Sequence, residues 1–185
     1  MLAMSGLPGL RGTGSKLAVA AATAVVAVGL YLYLTAPEAT RVKRGSVAPD
    51  MELQSENGGV QRLSVYRGQA VLLVFFMSDC DICRRDIPDL ELVNREFRKQ
   101  GLIVLGVSVD QDYTTYKRFI LDNKLSFGMF RDPGGPRILK DFGSYRLPEA
   151  YLIDATGVVR QIWLGEVSWR SPAVREQIVD VLPKK

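Results

Sequence analysis

Cys80 and Cys83 are the only cysteines in the chain, and two residues separate them. Two sulfurs so spaced on one helical turn can open and close a disulfide without moving the backbone. The preceding run Ala70–Met77 (AVLLVFFM) reads as a buried strand and the following residues as a helix, so the pair falls at a strand-to-helix turn. Cys80 then stands at the helix N-terminus, partly exposed, where unpaired backbone N–H groups and the helix dipole favour a thiolate. Cys83, one turn on, faces inward beside it. Attack by Cys80 on a substrate disulfide gives a mixed disulfide, which Cys83 resolves. Three plainer readings stand beside this one. A structural disulfide gains least from so short a loop. A zinc half-site would have only carboxylates such as Asp79, Asp81 or Asp86 to complete it. Two unrelated buried thiols would not need the strand–turn–helix setting, which is what favours the redox pair.

Composition narrows the field. The chain has 185 residues, 47% of them hydrophobic and 24% charged, enough for one ordinary domain plus an extra segment. It has no histidine, which excludes Ser-His-Asp and Cys-His catalysis, H-E-x-x-H zinc sites and haem on a His ligand. Two cysteines exclude a multi-disulfide scaffold and a four-Cys cluster within the chain. The net charge of +4 is unclustered, with no basic stripe interleaved with aromatics, so no nucleic-acid partner is expected.

The elements that must position the pair follow from the hydrophobic pattern. Leu17–Leu34 carries no charged residue and has no polar face; as a helix it spans roughly 27 Å, near the thickness of bilayer hydrocarbon. Tyr31 and Tyr33 lie near one end, where interfacial aromatics sit. Thr35-Ala36-Pro37 is a poor signal-peptidase site, so the run reads as an uncleaved single-pass anchor at residues 17–34. Residues 1–16 then form a cytoplasmic tail, 35–46 a polar linker and 47–185 the globular domain. Flanking positive charges do not decide the orientation.

Within that domain, Met51–Gln54 and Val60–Leu63 flank Asn57-Gly58-Gly59, an N-terminal β-hairpin. Asp81–Lys99 has helical spacing of Ile82, Ile87, Leu90, Val93 and Phe97, with Pro88 expected to kink it and Gly101 to close it. Leu102–Val109 is a second buried strand, and Asp112–Asn123 a helix turning Tyr116, Phe119 and Ile120 inward. Further short elements follow: a strand over Phe127–Arg131, a helix over Pro136–Phe142, a second hairpin about Asp154–Gly157 and a closing helix over Ser171–Leu182. Alternating strands and helices imply a central mixed sheet flanked by helices, an α/β fold.

Several stretches together carry a family resemblance. These are Val47-Ala48-Pro49-Asp50-Met51, the Leu63–Phe76 run, the C-x-x-C-R-x-D-x-P-x-L sequence from Cys80, Gly106-Val107-Ser108-Val109-Asp110, and Leu147–Asp154. Over residues 45–182 the chain resembles the TlpA/ResA-like redoxins of the thioredoxin superfamily. The resemblance implies a thioredoxin-like fold and a membrane-tethered, extracytoplasmic thiol–disulfide oxidoreductase, usually a reductant of protein disulfides. Cytochrome c maturation is one common setting. It further implies protein thiols and disulfides as substrates, an upstream membrane electron donor, and no organic cofactor or metal. Cys80 matches the attacking cysteine and Cys83 the resolving one. Pro148 matches the cis-proline beside the active site; read alone, it is a turn proline before a strand. Asp86 stands where these proteins often carry glutamate, three residues after Cys83 on the same helix face. Two readings of Asp86 stay open: a group that moves a proton from the resolving thiol, or a solvated carboxylate paired with Arg84 or Arg85.

The chain also departs from the family. Asp79 replaces the usual Trp before the first cysteine, and Asp81-Ile82 replaces a dipeptide that usually ends in Pro. The two acids bracket Cys80 and disfavour its thiolate, with Arg84 and Arg85 as partial offsets. Asp79 or Ser78 is the expected helix N-cap if these residues act structurally. Peroxiredoxins share the fold and the G-V-S-V-D strand, but typically have Thr or Ser three residues before the peroxidatic cysteine; Met77 stands there before Cys80. A thioredoxin-fold binding or assembly module without turnover is the non-enzymatic alternative.

Overall fold

A computed structural model describes residues 22–31 and 41–183. The chain divides into two units, residues 1–38 and 39–185. In the first, residues 22–31 are helical and exposed; the rest of the expected anchor, 17–21 and 32–34, lies outside the described residues, as do the tail 1–16 and residues 35–40 of the linker. Among the described residues, no helix is long and apolar enough to cross a membrane.

The second unit is built on a seven-stranded sheet. Its strands are β1 (Glu52–Ser55), β2 (Val60–Arg62), β3 (Ala70–Phe76), β4 (Leu102–Ser108), β5 (Gly128–Arg131), β6 (Glu149–Ile153) and β7 (Val159–Leu164). They lie in the order β2-β1-β5-β4-β3-β6-β7. β3 and β5 run parallel to β4, and the remaining pairs are antiparallel. The N-terminal hairpin β1–β2 joins the central sheet by pairing β1 with β5. Three helices complete the domain: α1 (Asp81–Phe97), α2 (Tyr113–Asp122) and α3 (Pro172–Val181).

The unbroken apolar run of β3 has a direct cause. Ala70, Leu72, Val74 and Phe76 pack on one face with Ile87, Leu90, Phe119 and Ile178 from the three helices. Val71, Leu73 and Phe75 pack on the other with Leu63, Ile138, Phe142 and Tyr151. A strand covered on both sides has no solvated face to carry polar residues. Burying each of Ile87 and Leu90, at 1% and 0% exposure, contributes about 1.5–3 kcal/mol.

Boundaries differ from expectation by a few residues. α1 runs unbroken through Pro88 and ends at Phe97; a 3-10 turn over Arg98–Gln100 then leads to Gly101. Gly101 holds φ at 97°, a left-handed conformation that side chains resist. The expected helix at Pro136–Phe142 is a five-residue π-type turn, Ile138–Phe142, closed by Gly143. Asp112 caps α2 by accepting the N–H groups of Thr114 and Thr115. Residues 41–46, read as linker, pack onto the domain. Val42 is buried and its N–H reaches the Phe142 carbonyl at 3.1 Å, while Gly45 N–H reaches Val159 O at 2.7 Å. Polar composition hid this, because the backbone makes these bonds whatever the side chains are.

Candidate active site

β3 delivers the cysteines. The strand ends at Phe76, the chain turns at Ser78–Asp79, and α1 begins at Asp81. The helix N-cap is Cys80 itself, not Asp79 or Ser78: its Sγ accepts the N–H of Cys83 at 3.2 Å. The sulfur therefore takes the place usually held by a Ser or Asp oxygen, facing the unpaired N–H groups of the first turn. Asp79 is exposed. Asp81 is exposed too and pairs with Arg84 at 3.0 Å.

Both thiols are free. Cys80 is partly exposed, and Cys83 is fully buried within the helix-side core. Burial pushes the Cys83 thiol well up, and its contact with Cys80 adds to the shift. The pair is thus unequal, with one sulfur at the surface and the other held protonated until something takes its proton.

Asp86, one turn beyond Cys83, is neither solvated nor ion-paired. It is 6% exposed, and its Oδ2 accepts the backbone N–H of Val167 at 2.7 Å. The arginines expected to pair with it are engaged elsewhere, Arg84 with Asp81 and Arg85 with Glu166. The ion-pair reading of Asp86 is thereby corrected: its partner is a backbone group of the loop after β7. Burial raises the Asp86 carboxyl above its usual value. The Val167 N–H opposes this, the nearby charges of Glu166 and Asp89 add to it, and Arg85 opposes it.

Pro148 follows a cis peptide bond from Leu147. It immediately precedes β6, whose antiparallel register with β3 matches Phe75 with Glu149. That register sets Pro148 beside the C-terminal end of β3, the end from which the chain turns to Cys80. An apolar groove of about 230 Å³ opens beside it, lined by Val109, Ile138, Leu139, Tyr145 and Leu147 among others. A hollow of about 510 Å³ lies around Asp154, Arg160 and Asp180, at the opposite end of β6 from the cysteines.

Two features of this end of the sheet were not singled out in the sequence. Glu149 is 1% exposed, directly after Pro148. It accepts from the hydroxyls of Ser144 and Tyr151, the latter at 2.6 Å, and from Arg41 at 3.2 Å. Its signal was a charge at the head of an otherwise apolar strand. Asp110 is also buried, and its carboxylate holds the N–H of Ser78. Among the described residues, no cluster of three Cys, Asp or Glu side chains could hold a metal ion.

A mixed sheet with three helices on one face, a C-x-x-C at the start of the helix after a central strand, and a cis-proline beside it define a thioredoxin-like redox domain. The chain belongs to the AhpC/TSA family, whose model matches residues 44–162. It is 32% identical over 145 residues to the thiol-disulfide oxidoreductase ResA of Geobacillus kaustophilus, covering 78% of this chain and 83% of that one. It is 29% identical over 131 residues to the chloroplastic peroxiredoxin Q of Oryza sativa subsp. japonica, covering 66% and 59% respectively. Among solved structures, a putative thiol:disulfide interchange protein DsbE from Chlorobium tepidum superposes with a TM-score of 0.70 at 27% identity, covering 77% of this chain and 99% of that one.

Proposed function

We propose that the chain is a thiol–disulfide oxidoreductase that exchanges a Cys80–Cys83 dithiol with disulfides of protein substrates. The observation that carries this reading is the asymmetry of the pair: Cys80 caps α1 at the surface while Cys83 lies buried one turn in, 3.2 Å from N–H to sulfur. In the reducing direction, the Cys80 thiolate attacks one sulfur of the substrate disulfide. The substrate S–S bond breaks, a mixed disulfide forms, and the leaving thiolate takes a proton. Cys83 then loses its proton and attacks Cys80 Sγ; the second substrate thiol leaves, and two electrons have passed to the substrate. Asp86, on the same helix face as Cys83, is the group that receives the Cys83 proton, and its raised carboxyl suits it to hold one. Pro148, beside the end of β3 from which the chain turns to Cys80, shapes the surface that the substrate chain meets.

The same reading makes the protein a reductant, recharged by an upstream membrane donor. Leu17–Leu34 tethers it to the membrane, which the uncharged apolar length of that run supports, and residues from Val47 onward lie outside the cytoplasm, which rests on the resemblance to the TlpA/ResA-like redoxins. The trapping experiment is direct. Cys83→Ser leaves Cys80 unable to be resolved, so substrates accumulate as mixed disulfides, released by reductant and identified by mass spectrometry. Absence of any adduct on Cys80 sinks the reading.

The similarity to a peroxiredoxin favours one alternative, reduction of peroxides. Met77 occupies the position three residues before Cys80 where such enzymes typically carry Thr or Ser. Peroxide consumption in the presence of a dithiol should stay at the background rate; turnover above it would shift the assignment to a peroxidase.

A further inference from the structure

β3 and β4 run parallel and in register to their last pair, Phe76 with Ser108, and Val109 N–H still reaches Phe76 O at 2.9 Å. Continuing that pattern, the N–H of Ser78 would meet the Val109 carbonyl. That carbonyl is taken instead by the N–H of Gly134 at 3.0 Å. Ser78 N–H donates to a side chain, the carboxylate of Asp110, at 3.0 Å from Oδ1 and 3.1 Å from Oδ2. A carboxylate in place of a strand carbonyl ends the ladder while keeping the buried Ser78 N–H paired. The chain is then free to leave the sheet at Ser78–Asp79 and bring Cys80 to the helix start.

The carboxylate is itself fixed. Ser108 Oγ donates to its Oδ2 at 2.6 Å and accepts the Asp110 N–H at 3.0 Å. From β5, Arg131 donates to the carbonyls of Asp110 and Gln111 at 2.9 and 3.2 Å, with its guanidinium over the rings of Tyr113 and Tyr116. Ser78, Ser108 and Asp110 are all buried, so water does not compete for these bonds.

We propose that Asp110 is a positioning residue for the exchange reaction. It touches no substrate; it holds the Ser78–Asp79 turn and thereby the Cys80 sulfur in its capping position at the start of the helix. The proposal rests on Cys80 and Cys83 being the exchanging pair. Thiolate attack on a disulfide is sensitive to approach, and misplacement of a reacting atom by about 1 Å can cost up to roughly a hundredfold in rate.

The test compares wild type, Asp110→Ala, Asp110→Asn and Ser108→Ala. The readouts are the rate constant of reduced Cys80 with a small aromatic disulfide, amide hydrogen exchange at Ser78, and the melting temperature. Asp110→Ala should slow the reaction by about tenfold or more and deprotect the Ser78 amide. Asp110→Asn still offers an oxygen to Ser78 N–H and should recover most of the rate. A purely structural role would lower the melting temperature and leave the rate, measured well below melting, unchanged. Ser108→Ala removes only the hydroxyl that orients the carboxylate. It should slow the reaction in the same direction but less, and it serves if Asp110→Ala does not fold. Rates within twofold of wild type in Ser108→Ala and Asp110→Ala, or an Asn variant no better than Ala, overturn the proposal alone. A wild-type protein inert to every disulfide overturns the functional reading and this proposal with it.

Discussion

The carboxylate of Asp86 accepts the backbone N–H of Val167 at 2.7 Å, tying the helix that carries both cysteines to the loop after the last strand. Both residues are buried, at 6% and 8% exposure, so neither group has water as a fallback partner. A single carboxyl thus has two duties, closing a loop through its oxygen and, on the proposed mechanism, holding a proton for Cys83.

The structural duty is measurable by deletion. Asp86→Ala leaves the Val167 N–H buried without an acceptor, a loss of about 1–3 kcal/mol. Asp86→Asn keeps an acceptor oxygen and should lose less. Urea unfolding of the three proteins checks this; equal stability of Ala and wild type would mean that the loop finds another partner.

The pH dependence of the same variants has a definite sign. The Asp86 carboxyl is raised in the folded chain, chiefly by burial. Between its ordinary value of 3.8 and that raised value, the native state binds more proton than the unfolded one. Stability from this group therefore falls as pH rises through the window and levels off above it. Asp86→Asn cannot ionise, so its stability relative to wild type should climb over the same window. A difference that stays flat with pH contradicts the raised carboxyl.

The unequal thiols predict ordered reactivity. In the reduced protein at mildly alkaline pH, iodoacetamide should label Cys80 first, with Cys83 slower by roughly tenfold or more because its thiol is buried and held protonated. In Cys80→Ser, Cys83 should remain nearly unlabelled until the protein unfolds. Peptide mapping that finds Cys83 labelled first would reverse the assigned roles.

Glu149 predicts a stability effect at the cis-proline loop. Glu149→Ala removes the acceptor for Ser144, Tyr151 and Arg41 together and should cost about 1–3 kcal/mol for each of the two buried hydroxyls left without a partner. For a domain of this size that is a fall in melting temperature on the order of 10 °C. Arg41→Ala removes a half-exposed partner and leaves both hydroxyls in place, so it should cost about 1 kcal/mol or less. Thermal unfolding of both variants tests the ranking, and an equal effect would place the ion pair above the hydroxyls.

Topology is open to a reporter. A fusion partner fluorescent only in the cytoplasm, attached after Lys185, should stay dark if Leu17–Leu34 anchors the domain with Val47 onward outside. Bright cells would reverse the orientation.

Much of this site was legible in one dimension. The Cys80–Cys83 spacing, the apolar run of β3 and the periodicity of α1 place two thiols on one helical turn after a buried strand, because those features depend on neighbours a few residues away. Tyr116, Phe119 and Ile120 were read as inward and are buried for the same reason. The role of Asp86 was legible only to the level of its helix face. Its partner is a backbone N–H 81 positions further on, and a backbone donor leaves no trace in residue type.

Residue types and their spacing specify the local chemistry: which residues can exchange a disulfide, which strand and helix carry them, and which proline precedes the strand beside them. Tertiary structure decided what surrounds them. It gave Cys80 rather than Asp79 the capping position, buried Asp86 and Glu149 instead of solvating them, and set Asp110 where the Ser78 N–H leaves the ladder. Local propensity acts over one turn or one strand. The burial of a charge depends on which distant backbone groups arrive to satisfy it, and only the folded sheet brings those groups together.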